Sequence, residues 1–212
     1  MTRIAIVDYG MGNIGSVANA LDRLGVTPVV ASTGAAIVPA DAIILPGVGA
    51  FHAAMGNLRR SGLDRTLTEE VVSKGKPFLG ICLGMQLLAR ESTEQGLTSG
   101  LGWIDGRVVR LDPAASLPVP HAGWNEVQLG PPSPLFGRIE PSAHFYFDHS
   151  YHLECGRSIT TATMNYGGVW CAAIQQGHIL GVQFHPEKSQ RNGLRLLRNF
   201  VTYVQKRKGE SC

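Results

Sequence analysis

The chain has 212 residues, 44% apolar and 17% charged, which suits one compact globular unit and argues against disorder, a coiled coil or a second full domain. Nineteen basic residues, fourteen of them scattered arginines, against sixteen acidic ones leave a net charge of +3 without a basic stripe, so nucleic-acid and membrane-surface binding gain no support. Four cysteines (82, 155, 171, 212) form no C-x-x-C pair, the longest apolar stretch is broken by Gly80, Gly84 and Gln86, and Asp8 arrives before a secretory leader could form; a cytoplasmic, reducing setting is the expectation.

The first half alternates short β-branched runs with helical patterns, as a parallel sheet with helices on its faces requires. Ile4–Val7 reads as the first strand. Asn13 stands where a helix cap belongs, ahead of Ile14, Val17, Ala18, Leu21 and Leu24 at three-four spacing, and Gly25 ends that helix. Thr27–Ala31 is the second strand, and Ala42–Leu45 a buried third that stops at Pro46. Helical patterns cover about Ala50–Arg60 and Leu63–Lys74. Phe78–Ile81 is a fourth strand running into Cys82, with a helix Leu83–Arg90 directly behind it.

From Arg107 onward the grammar changes to strands separated by turns: Arg107–Leu111, Asn125–Leu129, Phe145–Tyr151, Ser158–Met164, Val169–Gln175 and His178–Phe184. Asp112–Pro120 and Gly130–Pro134 are proline-rich loops, and Asn192–Gln205 follows as an amphipathic helix through Leu194, Leu197 and Val201. The fold class predicted is α/β: a mainly parallel central sheet flanked by helices and extended by antiparallel strands, with the site at the strands' carboxyl ends.

Gly10-Met11-Gly12-Asn13-Ile14-Gly15 is a literal G-x-G-x-x-G between a strand and a helix, the setting of a dinucleotide site. Such a site needs an acid for the ribose, or an arginine for a phosphate, at the end of the next strand. That strand ends Ala31-Ser32-Thr33, so the glycines read as a tight turn and no cofactor is expected. His149 and His152 suggest a metal, but on one strand an odd offset points them to opposite faces, so no metal is expected either. His52, His121, His144 and His178 read as solvated or locally bonded.

Gly80-Ile81-Cys82-Leu83-Gly84 has the spacing of a nucleophile elbow, in which small residues two before and two after permit a sharp strand-to-helix turn. The backbone N–H groups at the start of the following helix favour an anion there, and that of Leu83 is aimed at an oxyanion. A thiolate needs a base, and the base an orienting acceptor. Phe184-His185-Pro186-Glu187 supplies both: Pro186 ends the strand, and extended residues two apart put His185 and Glu187 on one side. Leu45-Pro46-Gly47-Val48-Gly49 fits either a plain turn or a second oxyanion donor at the Val48 N–H. Gln86, four residues past Cys82 on its helix, lies on the nucleophile's face and is a substrate-contact candidate.

Together these segments resemble the class I (triad) glutamine amidotransferases, whose fold is flavodoxin-related, over nearly the whole chain. Gly80-Ile81-Cys82-Leu83-Gly84-Met85-Gln86 and His185-Pro186-Glu187 carry the likeness to the class. Asp8–Asn13, Pro46–Gly49, Pro120-His121-Ala122-Gly123-Trp124-Asn125 and Gln183–Ser189 are similar, within it, to the glutaminase subunits of imidazole glycerol phosphate synthases. The resemblance implies that Cys82 attacks the carboxamide carbon of glutamine, His185 protonates the departing ammonia and Glu187 orients His185, through a γ-glutamyl thioester that water opens. It implies further that Val48 and Leu83 form the oxyanion hole, and that Gly47, Gly49, Gln86, Glu94, Ser150 and Tyr151 hold the glutamine. The implied partner is a (β/α)8-barrel cyclase subunit that receives the ammonia in histidine biosynthesis, in a heterodimer.

The Pro118–Asn125 loop and the Asp8–Asn13 turn are the expected partner contact, with Asn13, Pro120, His121, Gly123, Trp124 and Asn125 as its residues, because an exposed tryptophan on a proline-rich loop suits a buried anchor. A core tryptophan is the other reading of Trp124. Rival functions are a glutaminase for another synthase, a free-standing γ-glutamyl hydrolase, a catalytically silent binding subunit and a dinucleotide-binding oxidoreductase. The intact Cys82, His185 and Glu187 argue against the silent subunit.

Overall fold

The computed structural model describes residues 2–114 and 117–210. Ala115 and Ser116 of the expected Asp112–Pro120 loop, and Cys212, lie outside the described residues. Four short runs with almost no polar atoms form the centre: β1 (Ile4–Val7), β3 (Ala42–Gly47), β4 (Phe78–Cys82) and β13 (Ile179–Val182), every residue of them buried. Strands covered on both faces read as continuous apolar runs, and these pair in parallel in the order β1-β3-β4-β13, with β2 (Val29–Ala31) outside β1.

Alternation along each strand divides the core in two. Ile4, Ile6, Ile44 and Leu79 face a layer closed by α1 (Ile14–Asp22) and α6 (Gln190–Glu210), through Val17, Leu21, Leu197 and Phe200. Ala5, Val7, Ile43 and Phe78 face α2 (Gly34–Ile37), α3 (Phe51–Ser61) and α4 (Leu63–Thr68, continuing as a π-turn to Ser73). The sheet then grows by antiparallel pairing through β12 (Val169–Gln176), β11 (Thr160–Asn165), β8 (His121–Leu129) and β9 (His144–His149) to nine strands. The predicted architecture is therefore observed.

Several local expectations need correction. The helix expected over Leu83–Arg90 is the single turn α5 (Leu83–Gln86); the chain then extends as β5 (Ala89–Ser92). Leu87, Leu88 and Ala89 are buried all round, and their carbonyls accept the N–H groups of Leu101, Ile104 and Gly102. That non-local pairing defeats the helix and builds a second sheet, β10 (Tyr151–Cys155)–β7 (Ile104–Arg110)–β5–β6 (Thr98–Ser99), which the sequence reading does not contain. The strand expected over Phe145–Tyr151 breaks at Ser150, where the chain passes from the large sheet to the small one. His149 and His152 therefore sit in different sheets rather than on opposite faces of one strand.

The expected loop through Asn125 is strand from His121 onward, because Gly123 to Glu126 pair with β9. Asn13 precedes α1 but its side chain makes no capping bond among the described residues. Among the described residues no helix is long and apolar enough to cross a membrane.

Candidate active site

Cys82 ends β4 in a left-handed conformation (φ 53°, ψ −111°), and Leu83 starts α5 at once. The flanking glycines make this turn possible. A β-carbon on Gly84 would overlap the Leu45 carbonyl, and one on Gly80 would stand 2.7 Å from the Gly84 carbonyl oxygen. Gly47 answers to the same packing: a β-carbon there would meet the Tyr9 hydroxyl at 2.5 Å and Leu83 at 2.9 Å. Tyr9 donates to the Pro46 carbonyl (3.0 Å), and burial, then the nearby Cys82 sulfur, push its phenol upward.

His185 follows β13, next to β4 in the sheet, and its Nδ1 lies 2.8 Å from Glu187 Oε1, with both side chains buried. The two meet through a 3-10 turn, Pro186–Lys188, rather than along an extended segment. Burial opposes a charge on His185, but the Cys82 sulfur and the Glu187 carboxylate outweigh it and raise the imidazole to about 10. With Nδ1 held by Glu187, the Cys82 sulfur acts on the other ring nitrogen, Nε2, which has no other partner among the described residues.

A cavity of about 290 Å³ opens over the sulfur. Its wall includes Val48, Gly49, Leu83, Gln86, Glu94, Ser150 and Tyr151, so seven expected oxyanion or glutamine-binding residues surround Cys82 together. Gly47 does not line the cavity; it lies beneath, where it lets β3 approach the elbow. Pro120, Asp148 and His149 complete the wall and were not expected there. Its size sits at the low end for ligand pockets, which are about 300 Å³ and upward, and suits a small polar molecule.

Beneath the wall lies an amide relay. The Gln86 side chain donates to the Tyr151 carbonyl (2.8 Å) and to Gln183 Oε1 (3.0 Å), and Gln183 donates to Cys82 Sγ (3.6 Å). Gln183 is wholly buried and has no assigned role in the sequence reading; a glutamine between Val182 and Phe184 on a buried strand is the signal that could have found it. Glu94 accepts the N–H of Phe51 (2.8 Å), the first residue of α3.

His121 is buried and locally bonded, the second of the two expected alternatives. Its ring stacks on Tyr166 (4.0 Å) and Phe147 (4.9 Å), its Nδ1 lies 3.1 Å from His149 Nε2, and its Nε2 lies 3.2 Å from Asn125 Nδ2. His149 Nδ1 in turn lies 2.8 Å from the Tyr151 carbonyl, which fixes it as the donor there. Burial drives both rings down, His121 to about 4 and His149 to about 3, so the row stays neutral from Asn125 to the pocket wall. Trp124, on the same strand, is 47% exposed and meets Tyr146 edge-on at 6.2 Å, with Lys188 over the Tyr146 ring.

The G-x-G-x-x-G segment is the β1–α1 turn. Gly10 (φ 81°) and Gly12 (φ 137°) take conformations that favour glycine, and Gly12 packs on the Pro46 carbonyl. His52 and His144 are exposed, and His178 lies 2.7 Å from the Val71 carbonyl.

The family profile described as glutamine amidotransferase class-I matches residues 5–204. The imidazole glycerol phosphate synthase subunit HisH 2 of Vibrio vulnificus is 48% identical over 204 residues, covering 96% of this chain and 95% of that protein. The subunit HisH of Moorella thermoacetica is 48% identical over 206 residues, with 97% of each chain covered. Among solved structures, a glutamine amidotransferase superimposes with a TM-score of 0.73 at 22% identity, over 95% of this chain and 98% of that one. Another, from Thermotoga maritima, gives 0.64 at 18% identity over 98% and 85%; at such identities the likeness concerns the fold. Cys82, His185 and the cavity thus stand in a chain that belongs to the class-I glutamine amidotransferase family.

Proposed function

We propose that this chain is the glutaminase subunit of an imidazole glycerol phosphate synthase, a single amidotransferase unit working in the cytoplasm. The observation that carries the reading is Cys82 opening into a cavity walled by the residues a glutamine would need, with the His185–Glu187 pair acting on its sulfur, in a chain nearly half identical to HisH subunits. Cys82 attacks the glutamine carboxamide carbon. The amides of Leu83 and Val48 take up the oxyanion, His185 passes its proton to the leaving ammonia, and Glu187 keeps the ring in register. Water then opens the γ-glutamyl thioester and releases glutamate. Glu94 supplies a carboxylate for the substrate's ammonium, and Gln86, Ser150, Tyr151 and Gly49 shape the rest of the pocket. The Val48 peptide turns toward the site when glutamine is bound, a rotation that Gly49, at φ 101°, leaves sterically cheap.

Ammonia then passes to a (β/α)8-barrel cyclase subunit seated over Asn13, Pro120, Gly123, Trp124 and Asn125, with His121 behind them. Pro120 supports this arrangement because it lines the cavity wall and directly precedes β8, the strand that carries Trp124. The deciding experiment measures glutamate release by the chain alone and with a barrel subunit plus its nucleotide ligand, beside Cys82→Ala. Partner-dependent hydrolysis abolished by Cys82→Ala is the expected result. Fast hydrolysis without a partner identifies a free-standing glutaminase instead, and none under any condition a silent subunit.

A further inference from the structure

Two cysteines that the proposed reaction leaves unused are in contact. Cys155 is the last residue of β10 in the small sheet, and Cys171 lies in β12 of the large one. Both are free thiols with their sulfurs 3.9 Å apart. The Thr160 hydroxyl stands 3.6 Å from the Cys155 sulfur, and the Cys171 thiol reaches toward the Ala173 carbonyl at 3.7 Å. A disulfide requires about 2.05 Å; the two sulfurs already touch across neighbouring strands of the two sheets, so bonding needs them only to draw closer.

Access is asymmetric. Cys155 borders a surface groove of about 660 Å³ whose other walls include Arg90, Arg107, Glu91 and Glu154; Cys171 does not border it. The groove's charges sit in exposed ion pairs, Arg107 with Glu154 at 2.8 Å and Arg90 with Asp105 at 2.5 Å. Such pairs hold loosely and exchange partners cheaply. The groove can therefore offer guanidinium to a carboxylate and carboxylate to an ammonium, the groups carried by a small zwitterionic peptide.

We propose that Cys155 and Cys171 form an oxidisable dithiol, in which Cys155 exchanges with a glutathione-type disulfide and Cys171 resolves the adduct into an internal Cys155–Cys171 bond. The Cys155 thiolate attacks one sulfur of the small disulfide and expels a thiolate, leaving a mixed disulfide. Cys171 then gives up its proton and attacks the Cys155 sulfur, expelling the second small thiolate. In sum two protein thiols become one disulfide, and one small disulfide becomes two small thiols. The division of labour follows from the surroundings. The Cys171 thiol, against burial and with help from Thr160, draws Cys155 down to about 7, while Cys171 is pushed up by Cys155 and by burial.

The bond would tie β10, which begins with the pocket residue Tyr151, to β12, the neighbour of the strand that leads to His185. The site does not depend on the glutaminase reading. The test incubates the reduced full-length chain with oxidised glutathione, quenches free thiols by alkylation and maps peptides by mass spectrometry. A Cys155–Cys171 cross-link is expected in the natural chain. Cys171→Ser should accumulate glutathione on Cys155, and Cys155→Ser should leave Cys171 open to alkylation. Alkylated Cys155 and Cys171 in the treated natural chain, or pairing of either with Cys82 or Cys212, overturns the proposal. Glutathione accumulating on Cys171 in Cys155→Ser overturns the assigned order, and circular dichroism of both variants shows that they are folded.

Discussion

Cys82 holds a backbone conformation that a residue with a β-carbon adopts only when its neighbours impose it. The imposing contacts come from Gly80 and Gly84, which let α5 press against β3 and β4. Gly84→Ala should therefore lower folding stability by about 1–3 kcal/mol or more, since its methyl has only the Leu45 carbonyl to displace. An unchanged urea midpoint would show that the elbow can relax. His185 offers a second prediction. Glu187 and the Cys82 sulfur hold its imidazole protonated up to about 10 against burial. Glu187→Gln removes one of these two supports, so the imidazole pKa should fall by NMR titration and glutamine hydrolysis should drop about 10²- to 10⁴-fold, the usual worth of positioned acid–base catalysis. A lost rate with an unmoved titration would limit Glu187 to orienting the ring.

Among the elements, α3 shows how the second sheet serves the first. Its cap position is Ala50, which has no group to offer the helix, and Glu94 from the β5–β6 turn accepts the Phe51 N–H instead. Because α3 follows directly on Val48 and Gly49, one carboxylate both steadies that loop and lines the cavity. Glu94→Ala should cost about 1 kcal/mol of stability without substrate and raise KM more than it lowers kcat. A raised KM at unchanged stability would limit Glu94 to the substrate. The sequence made the central strands readable because a run such as Ile43-Ile44-Leu45 has no polar face to place elsewhere. It made the elbow readable because each glycine fills a fixed offset from Cys82. The small sheet was not readable, for Leu87-Leu88-Ala89 suits any buried element and its pairing with residues 101–104 is non-local. The one local trace is Gly100, where a β-carbon would overlap the Ala89 carbonyl. Likewise the break at Ser150, which brings Tyr151 to the cavity, is set by non-local pairing, of the residues before it with β8 and of those after it with β7.

Over the whole molecule, buried histidines of opposite character set the pH range of stability. His121 and His149 are neutral because burial lowers them from 6.5 to about 4 and about 3. In the unfolded chain both bind protons below 6.5, so their contribution is complete above that pH and is lost as pH falls toward 4 and 3. His185 runs the other way: raised from 6.5 to about 10, it stabilises fully below 6.5, and that contribution is lost as pH rises through about 10. The summed contribution of these three histidines should therefore peak near pH 6.5 and fall on both sides. Asp41 and Glu70, which burial pushes up but Arg3 and Lys208, and Lys74 and Lys76, together hold below their usual values of 3.8 and 4.5, add to the acid loss only around and below those values. The window between about 4.5 and 6.5 thus reports the buried histidines, the row together with His152, which burial also lowers. His149→Gln, which keeps an amide donor for the Tyr151 carbonyl, should make urea midpoints fall less steeply across that window, with His121 and His152 supplying the remaining slope, and leave the alkaline limb in place, whereas Glu187→Gln should make only the alkaline limb shallower, the Cys82 sulfur still supporting His185. If His149→Gln leaves the acid slope intact, the row is solvated in solution and cannot link Asn125 on β8 to the cavity wall. If the slope is reduced, the strand that carries Trp124 and the wall that faces Cys82 are joined by an uncharged, fully bonded chain, and a partner that shifts the strand should also move the Tyr151 carbonyl on which Gln86 rests.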